Sequence, residues 1–213
     1  METTVFLVRH GLTGWHAEKK LLGQRDVPLS DEGLAHAERA ARAMAGLSLG
    51  EIISSPLQRA VQTANIIGEQ FGIEVARDPR LTDFDVGGWA GMAVEDIAQT
   101  AEYKAFVENP TAERIPGGEN LEEVRERAVA AIEQALEDNP SGAAIAVVTH
   151  AGVIRVLLAH YLGSPPANYH RISVNPGSVS VLSFADDREL PRVIAVNCVA
   201  DLVTVLEGRG AST

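Results

Sequence analysis

The sequence predicts an α/β fold: three layers, α/β/α, with a mostly parallel central sheet, helices on both faces and a small helical and loop insertion over the carboxyl edge of the strands. Three observations carry this expectation. Short apolar runs alternate with helix-length amphipathic segments almost from the first residue, the pattern that covers both faces of a parallel sheet. Two of the apolar runs end alike, in Arg9-His10-Gly11 and in Thr149-His150-Ala151, each placing a histidine and then a small residue where a turn opens. Between residues 78 and 120 the rhythm is lost among glycines, prolines and polar residues, as in a lid or binding insertion.

Taken in order, residues 4–8 form a first strand. Residues 31–47 form a helix, because Leu34, Ala37, Ala41 and Met44 or Ala45 fall near helical spacing and Ser30 is placed to cap it. Residues 51–54 are a short apolar strand. Ser55-Pro56 then reads as an N-cap with proline at the first helical position, and Leu57, Ala60, Val61, Ala64 and Ile67 share one face of the helix that follows. Another short strand covers 73–76. After the insertion, residues 121–138 make an amphipathic helix with Leu121, Val124, Ala128, Ala131 or Ile132, and Ala135 inward. Glu122, Glu123, Arg125, Glu126 and Arg127 form its solvated face. A strand at 143–148, a helix at 153–162 and closing strands at 178–184 and 193–198 complete a single domain over residues 1–213, with no repeat, low-complexity tract or linker.

A chain of 213 residues can bury a substantial core. Its net charge of -11 argues against nucleic acid as a partner, since a phosphate backbone needs a basic face. An anionic small substrate remains open, because a few arginines in a cleft can dominate the local field. The most apolar window, residues 143–158, is interrupted by Thr149, His150 and Arg155, so no membrane span or membrane partner is expected. The opening residues lack the basic region and long apolar stretch of a secretory leader, which leaves a cytoplasmic location as the default. The single cysteine, Cys198, reads as a buried, inert thiol. If the strand at 193–198 lies at a sheet edge, it can pair with a second chain to give a homodimer.

In a parallel sheet, ligands bind beyond the carboxyl ends of the strands. Three segments deliver chemistry there: Arg9-His10-Gly11 after the first strand, Ser54-Ser55-Pro56-Leu57-Gln58-Arg59 after the second, and Thr149-His150-Ala151-Gly152 after the run 144–148. Two histidines and two arginines meeting at that edge, helped by helix N-termini, suit a phosphoryl group. A neutral imidazole can attack phosphorus in line, and neighbouring arginines keep it neutral by opposing a further positive charge. Arg9, Arg59 and His150 can cradle the equatorial oxygens. The leaving alkoxide needs a proton, so a carboxylic acid should stand close by. No metal or other cofactor is called for: His150, His160 and His170 recur every ten residues, which is no helical ligand spacing. His36, His160 and His170 are expected to be structural or exposed, and Trp89 to pack within the insertion.

The sequence resembles the histidine phosphatase superfamily, the phosphoglycerate mutase-like proteins, and within it the short bacterial broad-specificity and α-ribazole-type phosphatases. The residues carrying the resemblance run in family order: Arg9-His10-Gly11-x-Thr13, Asp26-Val27-Pro28-Leu29-Ser30-x-x-Gly33, Ser54-Ser55-Pro56-Leu57-x-Arg59-Ala60-x-Gln62-Thr63-Ala64, Gly87-x-Trp89-x-Gly91, Pro116-Gly117-Gly118-Glu119 and Val148 through Arg155. The resemblance implies that His10 is the phosphorylated nucleophile, that Arg9, Arg59 and His150 bind phosphate, and that the proton donor lies in Leu81-Thr82-Asp83. Asp85, two residues on, could face the same side of an extended segment and act instead. Ala151 and His16 are further candidate phosphate contacts. The chain departs from the pattern at Leu12, at His16 where asparagine is common, at Leu22-Gly23, and at Asp83, which is one methylene shorter than the usual glutamate.

The function expected is metal-independent hydrolysis of a small phosphorylated metabolite through a covalent phosphohistidine. The alternatives are a phosphoglycerate mutase-type phosphotransfer, a phosphate-binding module that has lost catalysis, and a metal-dependent hydrolase. The insertion offers few distinctive cations beyond Lys104 and Arg114 for contacting the rest of the substrate.

Overall fold

A computed structural model describes residues 2–139, 142–185, 190–199 and 202–203. In chain order the elements are β1 (Glu2–Arg9), α1 (Gly14–Ala17), α2 (Asp31–Ala43), β2 (Leu49–Ser54), α3 (Gln58–Phe71), β3 (Val75–Arg77), α4 (Val94–Ile97), α5 (Ala101–Glu108), α6 (Leu121–Glu137), β4 (Ala144–Thr149), α7 (Ala151–Tyr161), β5 (Val179–Ala185) and β6 (Arg192–Cys198). Single 3-10 turns lie at Pro79–Leu81 and Gly87–Trp89, and a longer one at Pro166–Arg171.

The strands form one sheet in the order β3-β2-β4-β1-β5-β6. The first four in that order are parallel, and β5 and β6 are antiparallel additions. Val5, Phe6, Leu7 and Val8 are all buried, a continuous run that requires cover on both faces. Alternate residues turn to opposite layers. Val5, Leu7, Ile145 and Val147 pack with α6 and α7, whereas Phe6, Val8, Ala146 and Val148 pack with α2 and α3. This is the expected three-layer architecture, with β6 on an edge.

Several local expectations need correction. Helix α2 stops at Ala43, and Leu34 is exposed on it; alanines at 37, 40, 41 and 43 supply the buried stripe. Ser30 does cap it, its hydroxyl accepting the Gly33 amide at 3.1 Å. Ser55 is not the cap of α3, which begins at Gln58 after Leu57; its hydroxyl accepts the Leu57 amide at 3.4 Å and lies 2.8 Å from His150 Nε2. Cys198 is half-buried rather than enclosed. Arg127, placed on the solvated face by its charge, is instead largely buried and fully bonded.

One close approach fixes the turn after β1. A Cβ on Gly33 would meet the Leu12 carbonyl oxygen at 1.9 Å, and one on Gly11 would meet the Gly33 carbonyl oxygen at 2.1 Å. The first turn of α2 therefore lies directly against the turn that carries His10, and only glycine permits it. Gly33→Ala should lower stability by roughly 1–3 kcal/mol through overpacking, a fall of several degrees in Tm measured by calorimetry. A variant as stable as the parent would show that the contact does not hold the turn.

Candidate active site

Register brings the site together. β1 and β4 pair in parallel with Arg9 opposite Thr149, and the His10 amide donates to the Thr149 carbonyl at 3.1 Å. β2 lies on the other side of β4, and the Ser55 amide donates to the Val148 carbonyl at 2.9 Å. Three adjacent strand ends thus deliver His10, Ser55 and His150 to one rim. Arg59 enters from the first turn of α3, and Asp83 from the loop after the Pro79–Leu81 turn.

The bonding pattern assigns the ring protons. His10 Nδ1 lies 2.6 Å from the Gly11 carbonyl oxygen, which can only accept, so the proton sits on Nδ1 and the Nε2 lone pair is available. Arg59 Nε donates to that Nε2 at 3.2 Å. His16 Nδ1 accepts the Thr13 amide at 3.1 Å, which puts its proton on Nε2, 3.2 Å from Arg9 Nη2. Two N–H groups therefore face one another, and an anionic oxygen beside the pair could accept from both. His150 Nε2 is 2.8 Å from Ser55 Oγ, and its Nδ1 is buried without a partner, 3.5 Å from Asp83 Oδ2. Asp83 Oδ2 also accepts from Arg59 Nη2 at 3.1 Å. The His10 and His150 rings stand 5.0 Å apart, and those of His10 and His16 5.8 Å.

Burial governs the electrostatics. Arg59 and His150 are wholly enclosed, and His10 is 2% exposed. Burial first, and then the Arg59 and Arg9 guanidinium groups, hold the His10 imidazole well below its ordinary value of 6.5. His150 is held well below 6.5 by burial, then by Arg59 and His10. Burial and Arg9 bring His16 down to about 4. Asp83 moves the other way: burial pushes its carboxyl above 3.8 although Arg59 opposes this. The Arg9 guanidinium is brought down to about 10 by burial and then by Arg155.

The structure brings Arg9, His10, His16, Arg59, Asp83 and His150 together, and Ala151 joins Arg9, His10, His16 and Asp83 in lining a cavity of about 460 Å³. Asp85 is elsewhere; its Oδ1 accepts the Gly87 amide at 2.9 Å, and it does not reach the cavity. Lys104 and Arg114 are also spent, on the Gln99 carbonyl and on the Gly118 carbonyl with Glu123. Trp89 packs as expected, against Tyr103 and Phe106 within the insertion, although it also lines the cavity. No group of three or more histidine, cysteine or acidic side chains suited to a metal occurs among the described residues.

Two supports escaped the sequence reading. Ser55 orients His150. Arg127 donates to the Arg80, Thr82 and Asp83 carbonyls at 2.6, 2.6 and 3.1 Å and pairs with Glu119 at 2.8 Å, so that it holds the loop carrying Asp83. Glu119 in turn accepts the Asp85 amide. Helical spacing carried a signal for Arg127: it falls three residues after Val124 and four before Ala131, on the buried stripe.

A neutral imidazole with an unprotonated ring nitrogen, set among guanidinium groups at the carboxyl edge of an α/β sheet, makes a site suited to an anionic group. Comparison with known proteins gives the class a name. The sequence model of the histidine phosphatase superfamily (branch 1) matches residues 5–198, and the chain belongs to that superfamily. A curated relative from Salmonella choleraesuis, named probable phosphoglycerate mutase GpmB, is 32% identical over 200 residues, covering 93% of both chains. A solved mycobacterial glucosyl-3-phosphoglycerate phosphatase is 27% identical with a TM-score of 0.83, covering 93% of this chain and all of that one. A putative α-ribazole-5'-phosphate phosphatase from Escherichia coli, 24% identical with a TM-score of 0.82 over 93% of this chain and 97% of that one, shares the fold. No described helix is long and apolar enough to cross a membrane.

The depressed imidazoles link the site to stability. Unfolded histidines take up protons as pH falls below 6.5, whereas folded His10, His16 and His150 do not, so stability is complete above that value and drains away below it. Asp83 acts in the opposite sense, but only from 3.8 upward to its raised value. The Tm should fall by about 5–10 °C between pH 7 and pH 5, and less in a His10→Ala variant. Equal Tm values at the two pH values would contradict the buried neutral imidazoles.

Proposed function

We propose that this chain is a metal-independent phosphomonoesterase that hydrolyses a small phosphorylated metabolite through a phosphohistidine at His10. The observation that carries this reading is the unprotonated Nε2 of His10, set by the Nδ1 contact with Gly11, met by Arg59 Nε and surrounded by Arg9, His16 and His150. The two guanidinium groups supply the charge that the phosphoryl oxygens need, and the two neutral imidazoles add ring N–H donors.

The His10 Nε2 lone pair forms a bond to phosphorus as the ester P–O bond breaks. The Gly11 carbonyl stabilises the positive charge that develops on the ring. Asp83, kept toward its protonated form by burial, gives its proton to the departing oxygen. In the second half, the Asp83 carboxylate takes a proton from water as that water attacks phosphorus. The P–N bond breaks, and neutral His10 and inorganic phosphate result. Arg59 touches both His10 and Asp83, so it serves both ends of the scissile bond.

The name of the curated relatives favours a second reading, a phosphoglycerate mutase that returns the phosphoryl group to its substrate. Supply of 3-phosphoglycerate with a bisphosphorylated primer separates the two: a mutase makes 2-phosphoglycerate, and the proposed hydrolase releases phosphate.

Phenyl phosphate should be hydrolysed with a chelator present, and a brief quench should leave acid-labile phosphate on the protein. His10→Ala should abolish both, and turnover that survives that change would overturn the mechanism. Asp83→Asn should slow alkyl phosphates by roughly 10²–10⁴ and activated aryl esters far less, since a good leaving group needs no proton. Arg127→Met should show the same leaving-group selectivity in weaker form, because it holds the Asp83 loop. Equal losses on both ester types would assign Arg127 to general stability instead.

A further inference from the structure

The phosphoryl site occupies only one end of the cavity. At about 30 Å³ for each water-sized group, 460 Å³ holds on the order of fifteen such groups, of which a phosphoryl takes a handful. The remaining space is walled mainly by aromatic and aliphatic side chains: Phe84, Trp89, Ile97, Tyr103, Phe106 and Tyr169. Phe84 and Tyr169 stack with centroids 6.2 Å apart and planes 23° apart, a flat wall immediately after the acid loop. Such a surface binds a ring or hydrocarbon body, and it offers little to a short polyhydroxy chain, whose hydroxyl groups would lose water without compensation.

One charged group stands in this half without a countercharge. Arg155, half-buried on α7, donates Nε to the Ile172 carbonyl at 2.9 Å, which fixes its direction. No described carboxylate lies within ion-pair distance of it, and among the described residues Asp83 alone is an acidic side chain lining the cavity. Its neighbour Arg9 has its affinity for a proton reduced by it, so the two guanidinium groups repel one another in the free protein. A half-buried guanidinium held in place and left unpaired is suited to a second anion.

On the reading of the chain as a phosphomonoesterase, we propose that its substrates are monoesters whose leaving group combines an aromatic or apolar body with an anionic substituent. The body rests on the Phe84, Trp89 and Tyr169 walls, and the substituent, a carboxylate in the simplest case, is held by Arg155. Arg155 is then a specificity-determining residue, distinct from the arginines that hold the transferred group. Lys19 at the same cavity adds to the field that draws in a dianionic or trianionic ester, whereas Lys20 is paired with Glu18.

Four esters test both halves of the proposal: glycerol 3-phosphate, 3-phosphoglycerate, phenyl phosphate and 4-(carboxymethyl)phenyl phosphate. The carboxymethyl spacer keeps the leaving group's acidity close to that of phenol. The ring-bearing carboxylate should have the highest kcat/KM, with a KM at least about tenfold below that of phenyl phosphate, as a charge-assisted pair to one guanidinium implies. In Arg155→Met that ratio should shrink to under about twofold, and Arg155→Lys should restore part of it. Thermal melts of the variants establish that they fold. Equal loss on both aryl esters would mean that Arg155 serves the transferred phosphoryl group, and it would overturn the assignment. A higher kcat/KM for 3-phosphoglycerate than for either aryl ester would overturn the apolar half. Failure of all four esters, with no phosphate released, would strike the phosphatase reading itself.

Discussion

The site depends on one buried guanidinium. Arg59 is fully enclosed, and an enclosed charge is tolerable only when its donors are satisfied. Its Nε faces the His10 Nε2, Nη1 donates to the Arg25 carbonyl at 2.7 Å, and Nη2 donates to the Gly23 carbonyl at 2.8 Å and to Asp83. That single side chain ties His10 on the first strand turn to the loop before α2 and to the Asp83 loop of the insertion. Each of these segments is irregular, and none would hold its functional group in place alone. The planar fork of arginine, with its fixed donor directions, is what makes one residue able to register all three.

Burial does a second job, which explains how acid and base coexist within a few ångströms. Withdrawing the site from water disfavours every charged form. For the imidazole of His10 that means the neutral state; for the carboxyl of Asp83 it means a firmer hold on its proton than a solvated aspartate has, against the pull of Arg59. One physical cause therefore prepares both groups in the forms that the proposed reaction consumes. The same logic reconciles a chain of net charge -11 with a cationic cavity, because charge far away across water is screened whereas guanidinium groups in a dry cleft are not.

Most of this was legible from residue order. An apolar run ending in Arg9-His10-Gly11 can only deliver those side chains to a strand end, and the match at Thr149-His150-Ala151 fixes the shared rim once the strands are parallel. Asp83 was separated from Asp85 only by the fold, since an extended segment leaves both open until the Gly87 amide is seen to claim Asp85. Ser-Pro has the local chemistry of a helix start, and Ser55 does accept the Leu57 amide, but its contact with His150 is a tertiary one that no local pattern announces. Arg127 was misread because charge suggested solvent while its helical position pointed inward. The cavity's aromatic wall could not be foreseen, because residues 78–120 carry no period from which their facing can be read.

That wall is not independent of the chemistry. A Cβ on Gly152 would lie 2.8 Å from the Phe84 ring, so glycine in the first turn of α7 is what lets Phe84 settle over the helix that follows His150. Phe84 follows Asp83 directly, and its own amide donates to Asp83 Oδ1 at 3.0 Å. A group resting on the Phe84 and Tyr169 wall therefore presses on the residue whose backbone orients the acid. Contacts made by the non-reacting part of a substrate can in this way be converted into alignment of the proton donor, so that they favour the transition state as well as the bound ester. The shortness of aspartate relative to glutamate then matters less than it would on a free loop. The reach of this acid is set by where the aromatic wall and the Arg127 clamp together hold its backbone.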